Sequence, residues 1–136
     1  MNTQNDMCMK ISRVLSAMSK AKRKKVGAAL VTKNGVVLTG YNGTPSGSDN
    51  TCEDSDGNTK PEVLHAELNC ILKAAKEGVS VVDGSLYVTL SPCLQCAAML
   101  VQVGIKEVFY YETYRCTKGI EFLKENGIKI YQYLDC

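Results

Sequence analysis

Three observations predict an α/β fold of three layers, α/β/α, with a mixed five-stranded sheet at its centre. Two β-rich runs, 26–32 and 36–41, flank Asn34-Gly35, the strongest short hairpin signal, and so form an antiparallel pair. From Ser85 onward strand and helix patterns alternate, which calls for parallel strands joined by crossovers with helices on both faces. The 136 residues suit a single domain, 1–136, with chain enough for one full core and too little for a second.

Taken in order, Met7, Ile11, Val14, Leu15 and Met18 recur at helical spacing and predict an amphipathic first helix over 7–18. The basic run Ser19-Lys20-Ala21-Lys22-Arg23-Lys24-Lys25 follows, and composition leaves it either a solvated loop or a phosphate-binding rim. Past the hairpin, Gly40-Tyr41-Asn42-Gly43-Thr44-Pro45 closes the second strand. A polar loop runs on to about Lys60, acidic at Glu53, Asp54 and Asp56, and loops of this length are usually functional or mobile. A helix over 61–77 carries the apolar run Leu64, Leu68, Ile71, Leu72 and stops at Gly78. Then come a strand over 85–90, a helix over 94–103 ending at Gly104, and a strand over 107–111. A short helix over 119–126 stopped by Gly127 and a last strand over 128–133 complete the set.

Chemistry concentrates in two short stretches. His65-Ala66-Glu67 offers one imidazole and one carboxylate, and Ser91-Pro92-Cys93-Leu94-Gln95-Cys96 offers two thiolates three residues apart. His65, Cys93 and Cys96 make three good ligands for zinc, which prefers four, so a place is left for water. Glu67, at a helix's first turn, is placed to act on that water as general acid and base. Two thiolates cancel the formal charge of zinc and weaken it as a Lewis acid; helix N-termini at both ligand groups compensate, since their positive ends favour thiolate and hydroxide. A closed structural zinc, with Cys70 or Cys52 as fourth ligand, is the competing interpretation, but it has no use for Glu67.

Composition narrows the classes. A net charge of +2 does not call for nucleic acid as a partner, and no stretch reaches the roughly 18 apolar residues of a membrane span. The opening residues lack a basic segment followed by an apolar run, which points to the cytoplasm. Seven cysteines are an odd number without an export signal, so reduced thiols are expected. Cys8, Cys52, Cys70, Cys116 and Cys136 are then small core or surface residues. With one histidine in the chain, any imidazole the chemistry needs is His65.

His65-Ala66-Glu67-Leu68-Asn69, Tyr87-Val88-Thr89-Leu90-Ser91-Pro92-Cys93 and Gly40-Tyr41-Asn42-Gly43-Thr44-Pro45 together resemble the deoxycytidylate (dCMP) deaminases, within the cytidine and deoxycytidylate deaminase superfamily, in a compact, virus-like form. His-x-Glu with Pro-Cys-x-x-Cys is the signature of zinc nucleobase deaminases in general. Gly-Tyr-Asn-Gly and Glu112-Thr113-Tyr114 narrow the likeness, which runs from about Ser19 to Tyr133. The resemblance implies a cytidine-deaminase-like fold and hydrolytic deamination of dCMP to dUMP, the precursor of thymidylate.

Residue by residue, it implies zinc on His65, Cys93 and Cys96, a proton shuttle at Glu67, and a deoxyribose contact at Asn42. It also implies that the backbone of Ala66 and Ser91 holds the pyrimidine edge, that Tyr114 lines the pocket and that Lys76 meets the phosphate. Ser19, Lys20 and Arg23 resemble an allosteric triphosphate site, where dCTP with magnesium activates and dTTP inhibits, in a homo-oligomer with a hexamer favoured. Read from residues alone, Asn42 is equally a turn residue and Lys76 an exposed helix position. Two other functions stay open: a polynucleotide (tRNA) adenosine or cytidine deaminase, which needs a basic track beyond the pocket, and a nonenzymatic zinc-binding interaction module.

Overall fold

A computed structural model describes residues 3–134. Its elements are α1 (Thr3–Ser16), β1 (Gly27–Val31), β2 (Val37–Tyr41), α2 (Ala66–Glu77), β3 (Ser85–Leu90), α3 (Leu94–Val103), β4 (Glu107–Glu112), α4 (Lys118–Glu125) and β5 (Lys129–Gln132). The five strands form one sheet in the order β2-β1-β3-β4-β5. β1 runs antiparallel to β2 and to β3, whereas β3, β4 and β5 are parallel, so the sheet is mixed as the hairpin and the later alternation predict.

The period of two along each strand sorts side chains into the layers. Ala28 and Leu30 of β1, Leu86 and Val88 of β3 and Val108 of β4 pack with Ala66, Cys70 and Ala74 of α2, Ala97 and Leu100 of α3 and Leu123 of α4. On the opposite face Ala29, Val31, Tyr87 and Phe109 pack with Cys8 and Met9 of α1. Strands covered on both faces read as continuous apolar runs, which is why 27–31 and 85–90 look β-rich without alternating. Burying a side chain such as Leu30, Leu86 or Leu100 contributes about 1.5–3 kcal/mol.

Two helices turn a different face inward from the one their apolar spacing predicts. In α1 the buried residues are Cys8, Met9 and Ser12, while Met7 and Val14 are exposed, as is Met18, which lies past the helix end at Ser16 and not within it as expected. Ser12 decides this orientation: its hydroxyl proton is shared between the Tyr87 carbonyl of β3 at 3.0 Å and the Cys8 carbonyl at 2.9 Å, bringing helix and sheet too close for a larger side chain. In α2 the inward face is Ala66, Glu67, Cys70 and Ala74, which leaves Leu72 exposed and Leu68 and Ile71 half-buried. The reason is β2, where a Cβ at Gly40 would lie 2.6 Å from the Ala66 carbonyl, so the helix rests on the sheet through its small residues.

Boundaries also move. α2 begins at Ala66 and not at residue 61, because Leu64 pairs instead with Gly43: the Leu64 N–H donates to the Gly43 carbonyl at 2.8 Å and the Gly43 N–H to the Leu64 carbonyl at 3.0 Å. Among the described residues the cysteines are free thiols, with Cys8, Cys52 and Cys70 buried and Cys116 half-buried; Cys136 lies outside the described residues. None of the described helices is long and apolar enough to cross a membrane.

Candidate metal centre and cleft

His65 and Cys93 are the residues that open α2 and α3. Each is an N-cap with extended backbone, φ −70° and ψ 156° at His65, φ −71° and ψ 167° at Cys93. Neither side chain caps its own helix, so both turn toward the space between the two helix ends, where the macrodipoles place positive potential. Cys96, one turn into α3, joins them from the buried side. His65 Nδ1 lies 3.2 Å from Cys96 Sγ and 3.6 Å from Cys93 Sγ, and the three donor atoms all fall within 4.8 Å of one another. Tetrahedral zinc, with Zn–S about 2.3 Å and Zn–N about 2.0 Å, requires an N···S separation of about 3.6 Å, so the donors fit that metal.

A closed site finds no fourth ligand. Cys70 directs its thiol to the Leu38 carbonyl at 3.8 Å, and Cys52 packs with Ala21 and Val63 away from the donors. Among the described residues no other histidine, cysteine or carboxylate joins the cluster. An open position is therefore built in, as catalytic zinc sites have and structural ones lack.

Electrostatics divides the donors. Hydrogen bonding with Cys96 first, and with His65 second, lowers the Cys93 thiol to about 4, so this sulfur is a ready thiolate. Its partners move the other way: the bond to Cys93 and then burial raise Cys96, and the bond to Cys93 raises His65. Glu67, two residues past His65 on the inward face of α2, is buried, and loss of solvent pushes its carboxyl up to about 7. A carboxyl in that range can both take and return a proton near neutral pH.

These groups open onto a cleft of about 590 Å³, in the range of small-molecule sites. Asn42, Ala66, Ser91 and Tyr114 line it, as do His65, Glu67 and Cys93. Ser91 ties the wall together, donating its N–H to the Glu112 carbonyl at 2.9 Å and accepting the Tyr114 N–H on its hydroxyl at 2.7 Å. Asn42 uses both ends of its amide on the backbone: Oδ1 accepts the Val26 N–H at 2.9 Å and Nδ2 donates to the Lys24 carbonyl at 2.8 Å.

Other expected positions are not brought together. Lys76 is exposed in the last turn of α2, ten residues beyond Ala66 and hence about 15 Å along the helix, and it does not line the cleft. The expected phosphate contact at Lys76 is thus not among the residues that line this chain's cleft. The expected effector residues are divided as well: Arg23 lines this same cleft, Lys20 is exposed outside it, and Ser19 is buried with its hydroxyl donating to the Asn42 carbonyl at 2.8 Å.

Four charged lining residues escaped sequence reasoning: Lys24, Glu53, Glu112 and Arg115. Lys24 and Glu112 pair across the mouth at 2.6 Å, and the Arg115 guanidinium stands 5.9 Å from the centre of the Tyr114 ring. The basic run was a signal for Lys24, and adjacency to Tyr114 for Arg115. Nothing local distinguishes Glu53 from the acidic residues around it.

Comparison with known proteins bears on this geometry. A family model of the cytidine and deoxycytidylate deaminase zinc-binding region matches residues 2–112. The dCMP deaminase of the cyanophage S-TIM5, solved in complex with dCMP and dUMP, superimposes with a TM-score of 0.92 at 43% identity, covering 98% of this chain and 99% of that one. The deoxycytidylate deaminase of Enterobacteria phage T4 is 31% identical over 90% of this chain and 86% of its own length. That of Saccharomyces cerevisiae is 34% identical over 92% of this chain, which spans only 43% of the yeast enzyme. With the zinc-binding region matched and the fold shared almost end to end, this chain belongs to the cytidine and deoxycytidylate deaminase family.

Proposed function

We propose that the chain hydrolyses dCMP to dUMP and ammonia, supplying dUMP for thymidylate synthesis. One observation carries this: a three-donor centre and a buried carboxyl open onto a nucleotide-sized cleft whose rim holds the cations Arg23, Lys24 and Arg115. Zinc held by His65, Cys93 and Cys96 would act as a Lewis acid that brings the pKa of water toward neutrality.

The chain's own residues do the rest. Glu67 accepts a proton from the attacking water and passes it to N3 of the cytosine ring. It then carries a second proton to the departing amine, so that water and dCMP become dUMP and ammonia. Backbone groups of Ala66 and Ser91 meet the pyrimidine edge, Tyr114 gives an aromatic wall, and Asn42 stands at the sugar. The 5′-phosphate is met by Arg23, Lys24 and Arg115, with Lys24 released from Glu112 as the phosphate arrives.

Regulation by dCTP with magnesium and by dTTP belongs to the same reading. Arg23 lines the substrate cleft and Ser19 holds the Asn42 carbonyl, so a triphosphate bound on this segment would bias the position of Asn42. Self-association into a homo-oligomer, a hexamer in the fullest form, is part of the same proposal. The cytoplasm is the compartment that suits reduced thiols and a free-nucleotide substrate.

Ammonia release with dCMP, dCTP, deoxycytidine and a tRNA anticodon stem, offered in parallel, tests the proposal. Turnover is expected to be fastest on dCMP. Preference for the tRNA stem, or zinc binding without turnover of any of the four, overturns it.

A further inference from the structure

Residues 19–26 contain no helix or strand, yet two of the cleft's three cations, Arg23 and Lys24, lie on this strap. Such a segment keeps its shape only if other groups hold its backbone. Asn42 holds one end, through the Lys24 carbonyl and the Val26 N–H, and Ser19 binds the Asn42 carbonyl in return. At the turn between these anchors the holder is Glu53. One oxygen of its carboxylate accepts the Lys22 N–H at 2.9 Å and the Arg23 N–H at 3.2 Å, and the residue is only 9% exposed.

Glu53 is itself built into place. It pairs with Thr59 in a small hairpin where the Lys60 N–H donates to the Cys52 carbonyl at 2.8 Å. Cys52 packs with Val63 and with Ala21 of the strap, so hairpin and strap share a small apolar core. A buried carboxylate taking two main-chain N–H groups makes charge-assisted bonds, about twice as strong as neutral ones. Nothing in the chemistry at the metal centre requires that carboxylate.

We propose that Glu53 is a positioning residue for the substrate's phosphate: it fixes the backbone at Lys22 and Arg23 so that Arg23 and Lys24 face the cleft. The inference rests on the nucleotide reading above and deepens it. Without Glu53 the strap relaxes, the two cations lose their preset aim, and the phosphate alone is bound less well. The base and the metal centre are untouched, so the loss falls on KM and not on kcat.

The test compares Glu53→Ala and Glu53→Gln with wild type on dCMP and deoxycytidine, and measures dUMP and deoxyuridine binding by calorimetry. Glu53→Ala is expected to raise KM for dCMP about tenfold or more, with kcat and deoxycytidine turnover within about threefold of wild type. Glu53→Gln keeps an acceptor oxygen and restores most of the loss. If Glu53→Ala does not fold, Glu53→Asp, one methylene short of both N–H groups, replaces it with the same expectation.

Equal losses on nucleotide and nucleoside, or a loss in kcat alone, overturn the assignment. A wild type inactive on dCMP overturns the proposed function instead, and the binding data still decide Glu53. In that case the Ala variant must weaken dUMP about tenfold while sparing deoxyuridine, or the assignment falls with it.

Discussion

Glu67 is buried because α2 turns its small-residue face inward, and Glu67 shares that face with Ala66 and Cys70. Burial is what lifts its carboxyl to about 7, so replacing it with the isosteric amide removes the proton carrier and little else. Glu67→Gln should retain one zinc per chain by metal analysis while dCMP turnover falls about a hundredfold or more. Lys76 gives the opposite expectation. Exposed at the far end of the same helix, Lys76→Glu should leave the ratio of dCMP to deoxycytidine turnover within about twofold of wild type. Arg115→Glu, at the cleft, should depress dCMP turnover far more than deoxycytidine turnover, and steady-state kinetics on the two substrates read the contrast.

At the scale of elements, the metal centre depends on how α4 meets the start of α3. Gly119, in the first turn of α4, is buried against the loop that carries Pro92 and Cys93, and a Cβ there would lie 2.0 Å from the Pro92 carbonyl. No rotamer relieves a clash between a Cβ and backbone, so Gly119→Ala must push the Cys93 loop away from His65. Weaker zinc retention against a chelator is expected, by about tenfold or more, with the thermal midpoint lowered as well. Gly43→Ala is the control: a Cβ there meets no atom within 4 Å, and its zinc retention should match wild type.

Across the whole molecule, the two core layers each bury a titratable group that holds its proton harder than usual. Burial pushes the Cys70 thiol from 9.0 to about 12 on the α2 side, and the Tyr87 phenol from 10.0 to about 12 on the α1 side. In the unfolded chain both would ionise at their ordinary values. Their contribution is therefore complete below pH of about 9 and is lost as pH rises toward about 12, where the folded groups also give up their protons. Above pH of about 9 these two groups should pull the urea midpoint down, with Tyr87→Phe flattening the upper part of that fall.

Local signals were enough for the hairpin, the α3 and β3 boundaries, the mixed sheet and the set His65, Glu67, Cys93 and Cys96. Each is written within a few residues: an Asn-Gly turn, an apolar run bounded by glycine, a ligand spacing of three. The inward faces of α1 and α2 were not legible, because a hydroxyl at Ser12 and a missing side chain at Gly40 outweigh several exposed leucines, valines and methionines only once helix and sheet touch. The basic rim of the cleft was hidden for a similar reason. Lys76 looked suitable by charge and family likeness, but a helix is rigid and carries it away. Arg23, Lys24, Glu53 and Arg115 come from three separate segments, and only tertiary packing of the strap, the hairpin and the end of β4 brings them to one cleft. Short-range chemistry is encoded by spacing along the chain; a site assembled from distant segments exists only when the chain has closed on itself.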